Sequence, residues 1–168
     1  MKRLASILVP LLIVAGCGKQ PAADVITSTR TVASETVVTV EAPPVEINAG
    51  ASTETSVRLK VDHGYHINAN PASFPYLIAT QLDVPTADGL SAAKITYPQP
   101  LIRKFSFSPD APLAVYEHEA DLKVTLLADA SAKQGQTSIP AKLRIQACDD
   151  QVCYPPGTID VWIPVTVR

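Results

Sequence analysis

The run Val57-Arg58-Leu59-Lys60-Val61-Asp62 alternates apolar and charged side chains without a break. In an extended chain successive side chains point to opposite faces, so Val57, Leu59 and Val61 share one side and the charges share the other. The same alternation returns in Leu122-Lys123-Val124-Thr125-Leu126, in Leu143-Arg144-Ile145-Gln146-Ala147 and in Ile159-Asp160-Val161-Trp162-Ile163. Residues 37–40, 45–47, 78–84, 94–97 and 113–116 are further strand candidates. Turn signals separate them at His63-Gly64, Asn70-Pro71, Asp88-Gly89, Pro109-Asp110 and Pro155-Pro156-Gly157. About eight or nine short strands with polar outer faces predict an all-β chain, an antiparallel sandwich of two sheets. An eight-stranded barrel is the alternative. Residues 98–112 show no alternation and read as the longest loop, and long loops in compact domains are commonly functional.

The beginning of the chain follows different rules. Lys2 and Arg3 precede an apolar stretch, 4–14, of the length of a secretory signal and too short to cross a bilayer. It ends in Val14-Ala15-Gly16-Cys17, which resembles the lipobox of bacterial lipoproteins. That resemblance implies a signal peptide over 1–16, a lipid on Cys17, and a membrane-anchored protein whose bulk lies in a disulfide-permissive compartment outside the cytoplasm. An ordinary signal peptide with a stray cysteine is the alternative. Gly18, not aspartate, follows the cysteine; by the sorting pattern of some Gram-negative lipoproteins this leans to the outer membrane over the inner. Residues 17–34 are rich in Ala, Thr and Ser and read as a tether, reaching about 20–25 Å on average and about 60 Å at most. Residues 35–168 then form one domain of ordinary size. Without Lys2 and Arg3, 12 basic residues face 16 acidic ones. That balance, with no basic cluster beyond Arg103-Lys104, argues against nucleic-acid binding.

The other two cysteines, Cys148 and Cys153, stand with four residues between them in Ala147-Cys148-Asp149-Asp150-Gln151-Val152-Cys153-Tyr154-Pro155-Pro156. Such a pair is a structural staple or a working dithiol. Parity places Leu143, Ile145 and Ala147 on one face and Lys142, Arg144, Gln146 and Cys148 on the other, so Cys148 is expected on the polar side at the strand's end. A reactive cysteine needs access, whereas a structural one is usually buried. A disulfide closing so short a loop stabilises by about 2 kcal/mol, and a domain this long can build its core without it. Both readings stay open on the residues alone. Asp149 and Asp150 beside the sulfurs disfavour a thiolate, or are simply solvated loop acids. His63 and His66 are three apart on an extended segment and point to opposite faces, so neither metal nor another cofactor is expected. No G-x-S-x-G, phosphate loop or H-E-x-x-H is present.

Gln146-Ala147-Cys148-Asp149-Asp150 followed by Cys153-Tyr154-Pro155-Pro156 resembles the active-site segment of the N-terminal domain of the thiol:disulfide interchange protein DsbD family. Asp62-His63-Gly64-Tyr65-His66-Ile67-Asn68, Pro75-Tyr76-Leu77-Ile78-Ala79-Thr80, Tyr97-Pro98 and Val115-Tyr116-Glu117 match in the same order, and the resemblance covers about residues 35–168. It implies an immunoglobulin-like sandwich with the cysteines at one end, shielded by a loop with an aromatic cap. Phe105 and Phe107 are the candidates for that cap, core aromatics at the loop's base being the alternative. Tyr65, His66 and Tyr154 are candidates for the surround of the dithiol. The family's role implies electrons passing from a membrane-embedded thiol reductase to thioredoxin-like or other oxidised extracytoplasmic proteins. By the same resemblance Cys153 exchanges with partners and Cys148 resolves. Two departures stand out. The cysteine loop is one residue shorter than in the best-known members, and the transmembrane and thioredoxin-like portions of DsbD are absent from this sequence. A non-catalytic immunoglobulin-like lipoprotein, an adaptor with a structural disulfide, is the other functional reading.

The anchor has its own test. Cys17→Ser should abolish lipid modification and move the folded domain into the soluble extracytoplasmic fraction, read by fractionation; unchanged membrane partitioning would refute the lipobox reading.

Overall fold

A computed structural model describes residues 32–168. The expected signal peptide, Cys17 and all but the end of the expected tether lie outside the described residues. The last tether residue, Ser34, is fully buried and opens a 3-10 turn, Ser34–Val37, so the ordered domain already includes it.

Twelve strands follow among the described residues. In the first sheet β1 (Val38–Glu41), β3 (Ser52–Val61), β9 (Glu119–Ala128) and β6 (Leu90–Thr96) lie side by side in that order. In the second, β2 (Val45–Ile47), β12 (Gly157–Val167), β10 (Gly135–Ile145) and β5 (Gln81–Asp83) do the same. All these pairings are antiparallel except β2 with β12. Val57, Leu59 and Val61 of β3 meet Leu122, Val124 and Leu126 of β9, and Leu143, Ile145, Val161 and Ile163 from the second sheet, in one core. The four alternating runs are thus the inner strands of the two sheets. The result is the two-sheet sandwich that the alternation predicts, immunoglobulin-like as the resemblance implies.

The strand count exceeds the expectation because several elements are very short and one larger unit escaped the pattern. A third sheet orders β11 (Ala147–Cys148), β4 (His66–Asn68), β8 (Ser108–Tyr116) and β7 (Leu101–Phe105). Residues 98–112, expected as a loop, are mainly a β-hairpin. Leu101 to Lys104 are all exposed, so no alternation marks the strand. Pro109 and Pro112 also suggest a break, but they lie where the β7–β8 register is interrupted, a place where a missing N–H costs no ladder bond. The other corrections are local. Of 78–84 only Gln81–Asp83 is a strand, and Val37 closes the 3-10 turn rather than opening β1.

Ser34 links this frame to the cysteine segment. Its hydroxyl donates to the Pro155 carbonyl at 2.6 Å and accepts from the Ala147 N–H at 2.9 Å. Ser34→Ala leaves the buried Ala147 N–H without that partner and frees the Pro155 carbonyl, and should cost about 1–3 kcal/mol, measured by denaturant unfolding of the oxidised domain.

Candidate active site

The cysteine segment begins where β10 stops. Beyond Ile145 the chain leaves the second sheet, and Ala147 and Cys148 pair instead with Ile67 and His66 of β4 in the third. Gln146 fills the crossing. Its side-chain oxygen accepts from Asn68 Nδ2 and from the Ile78 N–H, each at 3.0 Å, and its Nε2 donates to the Tyr154 carbonyl at 3.2 Å.

The crossing overturns the parity expectation for Cys148. Leu143, Ile145 and Ala147 are buried and Lys142 and Arg144 exposed, as alternation requires, but Cys148 is 0 % exposed. Strand parity holds only while a strand is continuous, and here it is broken at Gln146. Cys148 is bonded to Cys153, the two Cα atoms 3.9 Å apart across an antiparallel bridge. Cys153, unlike its partner, is partly exposed. The pair therefore has one sheltered sulfur and one at the surface.

The turn between them is organised by Asp149. Its Oδ1 accepts from the N–H groups of Gln151 and Val152 at 2.7 and 2.8 Å, and its Oδ2 accepts from the Tyr154 hydroxyl. The Tyr154 bond holds the Asp149 carboxyl below its ordinary range; burial opposes it, and the two N–H bonds each add a smaller lowering effect. The same bond pushes the Tyr154 hydroxyl up to about 12. Asp149 is thus the cap of a turn and not a free charge beside the sulfurs. Asp150 is exposed, and its carbonyl accepts from the Ser106 hydroxyl, which ties the cysteine turn to the tip of the β7–β8 hairpin.

That hairpin tip carries the two candidate cap rings, and the structure divides them. Phe105 is only 8 % exposed and sits in a small core with Leu113 and Val115, flanked by Phe74 and Leu77; it is a core aromatic. Phe107 is 37 % exposed and stacks on Phe105 with ring centroids 5.4 Å apart. It lines a groove of about 350 Å³ together with Tyr76, Leu77, Gln151, Val152 and Cys153. His66, 2 % exposed, stacks on the other face of the arrangement, 4.0 Å from Phe105. Tyr65 packs 6.1 Å from Tyr154 and touches the turn rather than the groove. Asp149 and Tyr154 thus belong to the turn between and beside the cysteines, while His66 pairs in register with Cys148 and stacks on Phe105. His63 takes no part in a metal-ligating cluster, and none was found among the described residues.

Tyr76 and Leu77 were not anticipated as groove residues. Their loop, 69–80, starts with a cis Asn70-Pro71 bond and is fastened by Asn70 Nδ2 to the Thr80 carbonyl, by Thr80 Oγ1 to the Asn68 carbonyl, and by Ser73 Oγ accepting from the Ala114 N–H. The hint in the sequence is Phe74-Pro75-Tyr76-Leu77, an apolar cluster outside any alternating run. Tyr76 is largely exposed and stacks on Phe74, presenting an aromatic face beside the groove.

The sequence profile of the family described as thiol:disulfide interchange protein DsbD, N-terminal, matches residues 33–161. The crystal structure of the Neisseria meningitidis DsbD N-terminal domain in the reduced form is similar in fold, with a TM-score of 0.51 at 20% identity over 80% of this chain and 90% of that one. The N-terminal periplasmic domain of ScsB from Proteus mirabilis gives a TM-score of 0.49 at 10% identity, over 77% of this chain and 45% of that one. Comparison with curated protein sequences gave no match.

The division of the two rings is testable by unfolding and alkylation. Phe105→Ala should lose about 3–5 kcal/mol, as buried aromatic truncations do. Phe107→Ala should change stability by about 1 kcal/mol or less, yet raise the alkylation rate of reduced Cys153 by iodoacetamide several-fold.

Proposed function

The chain belongs to the DsbD N-terminal family, and from that membership we propose that it performs thiol:disulfide exchange through Cys148 and Cys153. The observation that carries this reading is the unequal exposure of the two sulfurs. A partner disulfide entering the groove beside Phe107, Tyr76 and Val152 reaches Cys153, whereas Cys148 lies behind it, fully buried.

The exchange runs in two displacements. The Cys153 thiolate attacks one sulfur of the partner disulfide, and the partner's other sulfur leaves as a thiolate. Cys148 then attacks Cys153 Sγ, the mixed disulfide breaks, and the partner's second sulfur leaves. The partner gains two electrons and two protons, and the domain ends as the Cys148–Cys153 disulfide. A dithiol donor restores the reduced form by the reverse steps. In this proposal Cys17 carries a lipid, the domain works outside the cytoplasm, the donor is a membrane-embedded thiol reductase, and the acceptors are thioredoxin-like or other oxidised extracytoplasmic proteins. An adaptor whose disulfide is only structural is the second reading, and the burial of Cys148 favours it.

Trapping separates the two. Cys148→Ala should leave mixed disulfides unresolved, so reducible adducts with extracytoplasmic proteins accumulate on non-reducing gels, while Cys153→Ala traps far fewer. Equal trapping by both would leave a working dithiol but void the assignment of roles. No trapping by either, with a potential below about -300 mV in a dithiothreitol titration, is the signature of a staple.

A further inference from the structure

The exchange just described needs a proton to leave Cys148 before its sulfur can attack, and Cys148 has no water at its surface. The antiparallel register sets His66 of β4 directly opposite Cys148. Directly opposed side chains share a face of the sheet, with Cβ atoms about 4.5–5.5 Å apart. His66 is 2 % exposed, and its Nε2 is buried without a hydrogen-bond partner among the described residues. A buried polar atom left unpaired costs free energy. The ring is not free to turn towards water, because Phe105 covers one face at 4.0 Å.

We infer that His66 is the proton acceptor for Cys148 in the step that resolves the mixed disulfide. This rests on the exchange reading above and assigns that site a further residue. The neutral imidazole takes the proton from the Cys148 thiol as its sulfur bonds to Cys153 Sγ, and the partner's sulfur departs with the electron pair of the broken bond. The imidazolium then releases its proton to solvent or to the departing thiolate. In the reverse direction the imidazolium returns a proton to Cys148 as the disulfide opens. The orphaned nitrogen is thereby explained, since the disulfide form has no S–H for it to receive.

The surroundings keep the ring in the form that the role needs. The charged groups acting on it are Glu117, which follows β8, and Asp150 and Asp149, which follow β11; all three favour the imidazolium, but burial outweighs them and lowers the ring below its ordinary value. Arg103 of β7 holds Glu117 at 3.0 Å, and Asp149 is bound by Tyr154, so both acids are already engaged. At neutral pH the ring is an acceptor.

Reduced protein mixed with 5,5′-dithiobis(2-nitrobenzoate) reads the two displacements separately. Cys153 releases the first coloured thiolate, and Cys148 releases the second on closing the disulfide. In the unaltered protein the second release should rise with pH and level off below about 6.5, the ordinary imidazole value. In His66→Gln the plateau should vanish. The second release should then climb about tenfold per pH unit towards the thiol's own range near 8.5, and at pH 7 should be at least about tenfold slower. The first release should agree between the two within about twofold. An unchanged second release and pH profile in His66→Gln would overturn the assignment while leaving the exchange reading intact. An unaltered protein that never releases a second equivalent would overturn the exchange reading itself. Should His66→Gln not fold, nitrogen-15 titration of His66 in the unaltered protein decides the matter. Different midpoints in the oxidised and reduced forms support the proposal; identical ones overturn it.

Discussion

The half-buried amide of Gln146 is the constraint on which the cysteine end of the molecule depends. Through Asn68, Ile78 and Tyr154 it joins β4, the loop over 69–80 and the segment after Cys153 at the point where β10 gives out. Each bond satisfies a polar group that the crossing would otherwise leave buried and unpaired, and such a group costs more than an ordinary hydrogen bond gains. A polar network of this kind specifies one arrangement because a partial version of it is worse than none. Had β10 continued straight, Cys148 would stand on its outer face beside Arg144. The crossing instead delivers it to the third sheet, opposite His66 and out of contact with water.

This arrangement separates the stability of the fold from the state of the disulfide. The main core lies between β3, β9, β10 and β12 and contains neither cysteine. Closing a four-residue loop stabilises by about 2 kcal/mol, small beside the burial of that core, so opening the bond need not unfold the domain. The turn also has its own supports. Asp149 holds the Gln151 and Val152 N–H groups by bonds in which neither sulfur takes part. Its carboxyl is lowered, so its contribution is present above the ordinary carboxylate range near pH 4 and fades as pH falls through the lowered value. Tyr154 is raised, so its contribution is complete below pH about 10 and fades only as pH climbs towards about 12. Between those limits neither group changes its charge, and the bond between them is retained.

The sandwich was legible because its inner strands are long and two-faced. Arg58 and Lys60 mark the outside of β3 as plainly as Val57, Leu59 and Val61 mark its inside. The third sheet was not legible, for three different reasons. His66–Asn68 is buried on both faces and too short to alternate. Leu101 to Lys104 are exposed on both faces and so show no contrast. Ala147 and Cys148 look like a continuation of β10 because sequence carries no mark of a strand that changes sheets. The last of these matters most for the site, since parity put Cys148 in water. The cysteines stood out from the residues alone, whereas their roles and the aromatic and histidine residues around them came from the resemblance. Their division into core and surface, Phe105 against Phe107, required the coordinates.

The same division leaves one sulfur within reach while the other stays covered. His66, Phe105 and Phe107 form one continuous stack, from the buried strand opposite Cys148 to the groove beside Cys153. The inner two rings are fixed by burial, and moving Phe105 would open the small core that it forms with Leu113 and Val115. Phe107 loses comparatively little apolar contact on swinging aside, because it is already partly in water. A partner that supplies an apolar surface of its own replaces that contact as it enters. In the proposed exchange a partner approaches Cys153 past Phe107 alone, while Cys148 stays behind it, fully buried. Exposure and protection, which conflict for a single sulfur, are thereby assigned to different ends of one stack.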